Sequence, residues 1–496
     1  MNAVNKLYSL LHPHEKRKLI LLTIAVAIMA FLEVAGIGAL GPFMAVVSDL
    51  SVVETQPFLQ SLYQLGNFDS TRSFVITLGV GVFVLVLGGN AFRMVALYAI
   101  HRFGGICRAN LGLRLFRQYL HQPYAYFLNH NTADLSKGIL TEVDLVVSGV
   151  LRAAMDVLAR GAVVVAILTF LLVRDPFLAI TASAILVAIY GAIYAIVRPR
   201  LMKYGNELGP NNQKRFQATN EAFGAIKELK ILGRESTFEG IFQRAANRYA
   251  WSQAAKDILM LVPKHALEAV AFGLMIAWIL SLLLRGESVE TILPLVSVYG
   301  FAAYRLLPSL QVVFSGVAQV RYYGETVDTL YNDMRDMKDW AAVHDEQAND
   351  ENQPSIRFSD RLTLDQASFW YPTSPAPVLN EITIEIPKNT TVGFVGATGC
   401  GKTTLVDLIM GLLEPSAGEI RVDGEPIDCK QRAWQRNFGY VPQQIFLSDD
   451  SIASNIAFGI PADERDQGAI ERAARAANLH DFVMTELPEA YETYVG

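Results

Sequence analysis

A glycine-rich stretch, Thr391–Thr404, carries the residues best suited to chemistry. Gly396 is followed, after four residues, by Gly401, Lys402 and Thr403. This is the spacing of a phosphate-binding loop, in which glycine backbone N–H groups close around phosphate oxygens at a helix N-terminus. The lysine would reach the β- and γ-phosphates, and the threonine hydroxyl would bind Mg²⁺. The alternative interpretation is a glycine-rich turn that holds no ligand.

The residues on either side of this loop favour the ligand-binding interpretation. A β-rich run, Thr391–Val395, precedes it and predicts a strand, and an apolar run, Thr404–Met410, follows it and predicts a helix. A strand, a glycine loop and a helix in this order are the context that such a motif requires. We therefore expect ATP and Mg²⁺ as cofactors, with the nucleotide contacted by Gly396, Ala397, Thr398, Gly399, Cys400, Gly401, Lys402, Thr403 and Thr404.

Two further side chains are candidates for the same site. Tyr371 stands at the end of a predicted strand and could stack on a purine, although an aromatic residue in this position is often simply part of the core. Gln443 follows the apolar run Phe438–Val441, and a strand there would deliver its amide to Mg²⁺ and to an attacking water. The alternative for Gln443 is an ordinary surface glutamine. We assign Lys402 and Gln443 to catalysis, and Thr403 and Gln443 to the metal ion.

The composition indicates a membrane protein of several domains. Of the 496 residues, 52% are hydrophobic and 18% are charged, and the mean hydropathy is +0.27. Such values are unusual for a soluble chain. The net charge is −6, and the basic residues are not gathered into a surface that could bind nucleic acid. The cysteines, Cys107, Cys400 and Cys429, have no metal-binding or redox spacing, and we interpret them as reduced.

Six apolar runs are long enough to cross a bilayer, which requires roughly 20 residues. We predict spans at about 19–47, 74–100, 153–173, 177–197, 258–284 and 289–317. Arginine and lysine concentrate after the second and fourth spans, so the positive-inside rule places both long loops in the cytoplasm. These loops should continue the spans as helices and turn back within Asn129–Leu140 and Asn220–Gly233.

A short segment after the first span has an amphipathic pattern. Thr55 could cap a helix that has Pro57 in its first turn and Phe58, Leu59, Leu62 and Leu65 on one face. One interpretation is a helix lying on the outer membrane surface. The other is a connector helix that packs on the spans.

The order of these features resembles that of an ABC exporter half-transporter. The resemblance rests on six spans, the aromatic residue at Tyr371, the loop Gly396–Thr404 and the motif Tyr440–Gln443, and it covers the whole chain. It implies a multidomain fold: a six-helix transmembrane ABC exporter bundle (1–328), a linker (329–361) and an incomplete P-loop α/β nucleotide-binding domain (362–496). It also implies a multi-pass protein of the bacterial inner membrane that pairs with a second half-transporter, as a homodimer, around two ATP molecules. Tyr371 would stack on adenine, and Gln443 would sense Mg²⁺ and meet the two cytoplasmic turn segments.

Shorter matches are similar to bacterial lipid-linked oligosaccharide flippases. They are Phe31–Glu33, Pro42–Met44, Val262–Lys264 with Glu268, and Tyr304–Ser309. This resemblance implies ATP-driven flipping of an amphipathic, lipid-linked substrate. The alternatives are a general lipid or drug exporter and a truncated, non-hydrolysing subunit that binds nucleotide and a partner.

Basic residues within the spans are compatible with such a substrate. Arg93, Lys264 and Arg305 would be costly in a bilayer unless they line a wet cavity or form pairs. A cavity lined by these three side chains would attract a pyrophosphate head group. The alternative is that they form structural ion pairs with Glu33, Asp156 or Glu268.

The family pattern continues beyond what this sequence contains. A Leu-Ser-Gly-Gly-Gln signature, an Asp-Glu pair after an apolar strand and a switch histidine would follow Gly496. Phosphoryl transfer requires an acidic residue that positions Mg²⁺ and a group that orients water. We therefore expect a piece of a longer protein, in which this stretch alone hydrolyses ATP poorly.

Overall fold

The computed structural model describes residues 3–66, 68, 70–174, 176–285, 289–344, 355–371, 374, 376–427, 432–443 and 445–495. The chain forms two compact units, Met1–Asn349 and Asp350–Gly496. The first unit is helical throughout its described part, and the second combines strands and helices. Cys429 lies outside the described residues, whereas Cys107 is a buried free thiol and Cys400 an exposed one.

The helices of the first unit fall into long and short classes. The long ones are α2 (Pro13–Ser48), α5 (Thr71–Leu120), α9 (Arg152–Arg174), α10 (Pro176–Gly224), α12 (Glu235–Leu284) and α13 (Val289–Tyr322). The short ones are α1 (Ala3–Leu10), α3 (Val52–Thr55), α4 (Pro57–Leu65), α6 (Tyr124–Asn129), α7 (Thr132–Lys137), α8 (Val143–Val146), α11 (Ile226–Leu232) and α14 (Gly324–His344). Two π-helical turns, Gly138–Glu142 and Val147–Leu151, flank α8 and join α7 to α9.

The described residues contain six helical stretches that are long and apolar enough to cross a membrane, which confirms the predicted number. Large apolar side chains such as Ile76, Phe83 and Phe177 are exposed on them. In water this exposure would be unfavourable, but it suits helices whose outer faces meet lipid.

The long helices pack around a large apolar core. α2 packs on α5, α9 and α13, while α10 runs mainly along α12. Small residues allow the closest approaches. At Gly205 of α10, an added Cβ would lie 2.4 Å from the carbonyl oxygen of Tyr322, and at Gly316 of α13 it would lie 3.0 Å from that of Ala153. The backbones of neighbouring helices therefore meet directly at these points.

The two cytoplasmic turns differ in how well they were predicted. The second prediction is confirmed, because the chain reverses around α11 and leaves it through Gly233, whose φ is +59°. The first prediction, Asn129–Leu140, is wrong in position. The chain reverses around α6, after α5 ends at Leu120, and the stretch that leads into the third span begins at Thr132. The segment between α5 and α7 contains no glycine that would mark the turn in the sequence. The position of the turn therefore depends on packing.

The amphipathic segment forms α4, with Pro57 as its first residue as expected. The position directly before the helix is occupied by Gln56 and not by Thr55, and Gln56 is extended, as a residue before proline prefers. Leu59 is buried with Val46 and Phe74, whereas Leu65 is 82% exposed. One face of α4 thus packs on the spans, as the connector interpretation requires, and its last turn leaves an apolar side chain open. The side chain of Phe58 lies outside the described set.

The second unit is built on an antiparallel sheet. Its strands are β1 (Arg361–Phe369), β2 (Leu379–Pro387), β3 (Ala417–Val422) and β4 (Glu425–Pro426), in the order β2-β1-β3-β4. β5 (Asp450–Ser451) pairs with β6 (Tyr494–Val495). The helices are α15 (Lys402–Ile409), α16 (Arg432–Gln435), α17 (Ile452–Ile456), α18 (Gln467–Ala476) and α19 (His480–Glu486). β3 and β4 form a hairpin, with Asp423 (φ +54°) and Gly424 (φ +88°) in its turn.

Two predicted strands are not formed. Neither Thr391–Val395 nor Phe438–Val441 belongs to a ladder among the described residues, and Val395 is 97% exposed. A β-rich sequence becomes a strand only when a neighbour completes its hydrogen bonds, and no strand in the described part of this unit pairs with either run. The helix α14 also runs past residue 328, so the first part of the predicted linker is helical.

Candidate functional site

The phosphate loop closes on its own lysine. The Lys402 ammonium donates hydrogen bonds to the carbonyl oxygens of Gly396 and Ala397, both at 2.9 Å. These contacts fold the side chain back over the loop and hold its charge at the N-terminal end of α15. Because the first N–H groups of a helix are free to bind an anion, the loop joins a fixed cation to backbone donors.

The glycines of the loop are required by its backbone. Gly399 and Gly401 have φ values of +83° and +92°, in the left-handed region. A Cβ on Gly401 would also lie 3.0 Å from Leu379 Cδ2 and 3.1 Å from the carbonyl oxygen of Val378. Both conditions exclude a larger residue at Gly401, so the loop shape follows from its glycine pattern.

Tyr371 and the loop are brought together, although they are far apart in sequence. The Tyr371 hydroxyl lies 3.1 Å from Thr404 Oγ1, and its half-buried ring packs edge-on against Phe369, with the centroids 4.9 Å apart. Thr404 itself is buried. These contacts hold the ring beside the first turn of α15.

The other predicted site side chains are exposed and make fewer contacts than Lys402 and Tyr371. Thr398 and Thr403 are exposed, as is Cys400, whose sulfur lies 3.8 Å from Lys402 Nζ. Gln443 is exposed as well, and no hydrogen bond recorded for the described residues joins it to the loop. Its predicted role at Mg²⁺ therefore stays a prediction.

A second group of chemical interest lies within the membrane-spanning helices. Glu33 of α2 is almost fully buried, with 5% of its side chain exposed. Its Oε1 lies 3.7 Å from an Arg93 Nη1 and 3.5 Å from an Arg160 Nη1, on α5 and α9. Arg160 also interacts electrostatically with Asp156 and Arg305. We call Glu33, Arg93, Asp156, Arg160 and Arg305 the charged cluster.

Two of the three basic residues that were predicted to line a cavity belong to the charged cluster. Arg93 and Arg305 both belong to it, and the Arg305 guanidinium also lies 5.7 Å from the centre of the Phe301 ring. Lys264 does not: it is exposed on α12, beside a contact of 3.5 Å between His265 Nδ1 and Glu268 Oε2. The contact between Arg93 and Glu33 is one that the alternative interpretation, structural ion pairs, predicted.

Arg160 is a member of the cluster that the sequence reasoning did not select. Its signal was available, since a basic residue four positions after Asp156 interrupts the third span. What the sequence could not indicate is that its partner would be Glu33 on another helix.

Comparisons with known proteins agree with both units. Residues 19–290 match the family described as the ABC transporter transmembrane region, and residues 379–494 match the family described as ABC transporter. An ATP-dependent lipid A-core flippase of Cupriavidus metallidurans is 26% identical, over 100% of this chain and 79% of its own length. One of Alkalilimnicola ehrlichii is 27% identical, over 77% of this chain and 63% of its own.

A solved structure shows the same fold. It is that of a bacterial Atm1-family ABC exporter with ATP bound, which superposes with a TM-score of 0.69 at 20% identity, over 97% of this chain and 80% of that one. The transmembrane match alone covers more than half of the chain. Together with the phosphate loop in the second unit, these matches establish that the chain belongs to the ABC transporter family.

Proposed function

We propose that this chain is one half of an ATP-driven flippase for an amphipathic lipid with an anionic, glycosylated head group, of the lipid-linked oligosaccharide class. The chain is a multi-pass protein of the bacterial inner membrane with its nucleotide-binding unit in the cytoplasm. Two relatives carry the name lipid A-core flippase. Their names, like this proposal, describe ATP-dependent flipping of a lipid.

The charged cluster is the observation that carries this proposal. Arg93 and Arg160 share one contacting carboxylate, that of Glu33, so a single negative charge is placed between two positive ones within the spans. Charged side chains in a bilayer are costly, so they face the bundle interior or a water-filled cavity, where they pair with one another or mark a substrate path. A phosphate or pyrophosphate head group would supply the missing negative charge and accept several charge-assisted hydrogen bonds.

For the second unit we propose ATP with Mg²⁺. The glycine cradle, the folded-back Lys402 and the ring of Tyr371 fit the phosphates and the base of a nucleotide. Thr403, exposed in the first turn of α15, and Gln443 would hold the ion. Bound Mg²⁺ would neutralise phosphate charge, while Lys402 positions the β- and γ-phosphates. We further propose a homodimer, because one chain supplies one nucleotide unit and the family uses two.

A binding experiment tests the substrate proposal. The full chain, purified in detergent, is titrated with a polyprenyl diphosphate that carries an oligosaccharide and with the uncharged polyprenol. We expect the charged lipid to bind at least about tenfold more tightly, since close charge pairs dominate such differences. The double variant R93A/R305A should lose this preference and still bind ATP.

The control variant changes arginines on the same two helices outside the cluster. R102A/R321A removes exposed side chains of α5 and α13 and should bind like the unchanged chain. The substrate proposal fails if polyprenol binds as tightly as the charged lipid, or if R93A/R305A keeps the full preference.

A further inference from the structure

A groove in the cytoplasmic part of the first unit is lined by an excess of positive charge. It lies between α10 and α12, beyond the ends of their spans, and holds a cavity of about 640 Å³. Lys214 of α10 lines it, as do Arg244 and Arg248 of α12, and the acidic side chain among its described lining residues is that of Glu221. The groove therefore has three positive charges and one negative charge.

Among the described residues, the three basic side chains of the groove have no ion-pair partner. Glu221 is held on its own helix, where it accepts a hydrogen bond of 2.9 Å from Gln217 Nε2. Arg244 and Arg248 are also one helical turn apart on α12, a spacing at which like charges destabilise a helix. The positive charge of the groove is thus left uncompensated by the chain itself.

The surface of the groove leaves room for a ligand and adds a further donor. Ala218 and Ala245 are buried there, and their small side chains keep the space between the helices open. Asn247 is exposed on the same surface, and its amide can donate to an anion beside the basic groups. The volume lies within the range of pockets that hold small molecules.

The distance of the groove from the membrane indicates where its ligand comes from. The fourth span is expected to end at about residue 197, and a helix rises 1.5 Å per residue, so Lys214 lies roughly 25 Å further along α10. The head-group layer on one side of a bilayer is only about 5–7 Å deep. A phosphate dissolved in the cytoplasm reaches this position, whereas one at the bilayer surface does not.

We propose that this groove binds a soluble anion with several phosphate groups, and that the anion joins α10 to α12. Each of the two guanidinium groups on α12 can give two parallel N–H groups to one phosphate, and Lys214 supplies a point charge from α10. The site uses no residue of the phosphate loop. It does not depend on the lipid substrate proposed above.

The alternative is a basic helix face that is simply solvated. Such a face would respond to anions only through general screening of charge. Any two basic residues of the same hairpin would then contribute equally. A bound polyphosphate instead requires the residues that line the groove.

The experiment titrates inorganic triphosphate into the full chain in detergent by calorimetry. The parent carries Lys402→Ala, which weakens competing binding at the phosphate loop. We expect the parent to bind triphosphate, and Lys214→Gln/Arg248→Gln to weaken this binding by at least about tenfold, as expected when close charge pairs are lost. Triphosphate should also raise the unfolding temperature of the parent, because it binds the folded hairpin, and the double variant should lose this shift.

Lys227→Gln/Arg234→Gln in the same parent is the matched control. It also removes one lysine and one arginine, both exposed and near the turn of the same hairpin, outside the groove. Triphosphate should bind this control as tightly as it binds the parent.

Several results would overturn the inference. One is a parent that does not bind triphosphate, and another is an equal loss of affinity in the two double variants. Short-chain phosphatidylglycerol is the second probe: if it binds through Lys214 and Arg248 where triphosphate does not, the ligand is a lipid phosphate. If triphosphate does not bind and Lys214→Gln/Arg248→Gln changes the oligomeric state in light scattering, the groove is an interface between copies of the chain.

Discussion

The hydroxyl of Tyr371 lies 3.1 Å from Oγ1 of Thr404, so a residue after β1 is joined to the first turn of α15. Because the ring also packs against Phe369, its orientation is fixed before any nucleotide arrives. This contact ties the proposed base-stacking residue to the helix that carries the phosphate site.

Replacing Tyr371 separates the ring from its hydroxyl. Tyr371→Ala should weaken ATP binding by about tenfold, since stacking an aromatic side chain on a base contributes on the order of 1–3 kcal/mol. Tyr371→Phe keeps the ring and should bind within about twofold of the unchanged chain. Titration with a fluorescent ATP analogue measures the affinities of both variants. Tyr494→Ala, which removes an exposed tyrosine, is the control. A loss in Tyr371→Phe as large as in Tyr371→Ala would assign the effect to the Thr404 contact.

Lys402 should be required for nucleotide affinity. Lys402→Ala removes a charged donor that the loop already holds over its centre, and a charge-assisted hydrogen bond contributes roughly 1.5–3 kcal/mol. We expect ATP affinity to fall by at least about tenfold, as calorimetry would show. Lys388→Ala removes an exposed lysine of the same unit and should bind ATP normally. Equal affinities in the two variants would mean that the loop does not use its lysine.

Gly401 should not tolerate a side chain. Gly401→Ala places a Cβ in the left-handed region, which costs about 1–2 kcal/mol, and brings it 3.0 Å from Leu379 Cδ2. We expect a lower unfolding temperature of the second unit and weaker ATP binding. Gly393→Ala is the control, because a Cβ there meets nothing within 4 Å. Normal binding in Gly401→Ala would show that the loop can adopt another backbone path.

Gly205 should be required by the helix bundle. Gly205→Ala directs a Cβ to within 2.4 Å of the Tyr322 carbonyl oxygen, and because that atom is backbone, the helices α10 and α13 must separate. Overpacking of this kind costs about 1–3 kcal/mol. Gly209→Ala, one turn further along α10, meets nothing within 4 Å and should be neutral or stabilise by up to ~1 kcal/mol. Thermal unfolding in detergent compares the stabilities of Gly205→Ala and Gly209→Ala. Equal stability of the two variants would contradict the close packing of Gly205 against the backbone of Tyr322.

Asp423 gives the second unit a pH dependence with a definite sign. Its carboxylate accepts hydrogen bonds from the backbone N–H groups of Asp360, Ser359 and Arg361, at 2.7, 2.7 and 2.9 Å. The Asp360 bond is the largest of the causes that hold the pKa of Asp423 below its usual value. The stabilisation is therefore complete above the unfolded-state pKa of about 3.9 and is lost as the pH falls through the lower, folded-state pKa.

The variant Asp423→Asn should remove this pH dependence. The unfolding temperature of the second unit should fall less steeply below about pH 4 than in the unchanged chain, where protonation of Asp423 begins. Asp365→Asn, which alters an exposed carboxylate of β1, is the control. An identical acid profile in Asp423→Asn and the unchanged chain would show that these hydrogen bonds do not stabilise the folded unit.

Features that depend on local sequence were predicted well. The loop ends and its helix begins at Lys402, as the glycine spacing indicated. The hairpin of β3 and β4 turns at Asp423–Gly424, a dipeptide that favours such turns by its own conformational preference. The six apolar stretches were visible from their length and composition. By contrast, the strand expected at Thr391–Val395 is not formed, because strand formation depends on a partner that local sequence does not specify.

The sequence by itself determined that phosphates are bound and that the chain crosses a membrane. Glycine conformation and apolar run length follow from each residue's own chemistry. Only the tertiary structure decided which charges meet. Glu33, Arg93 and Arg160 lie on α2, α5 and α9, and their contacts arise where these helices pack. The tertiary structure also places Lys264 outside the cluster that contains Arg93 and Arg305. Whether a side chain on a helix points into the bundle or away from it depends on how that helix packs against its neighbours.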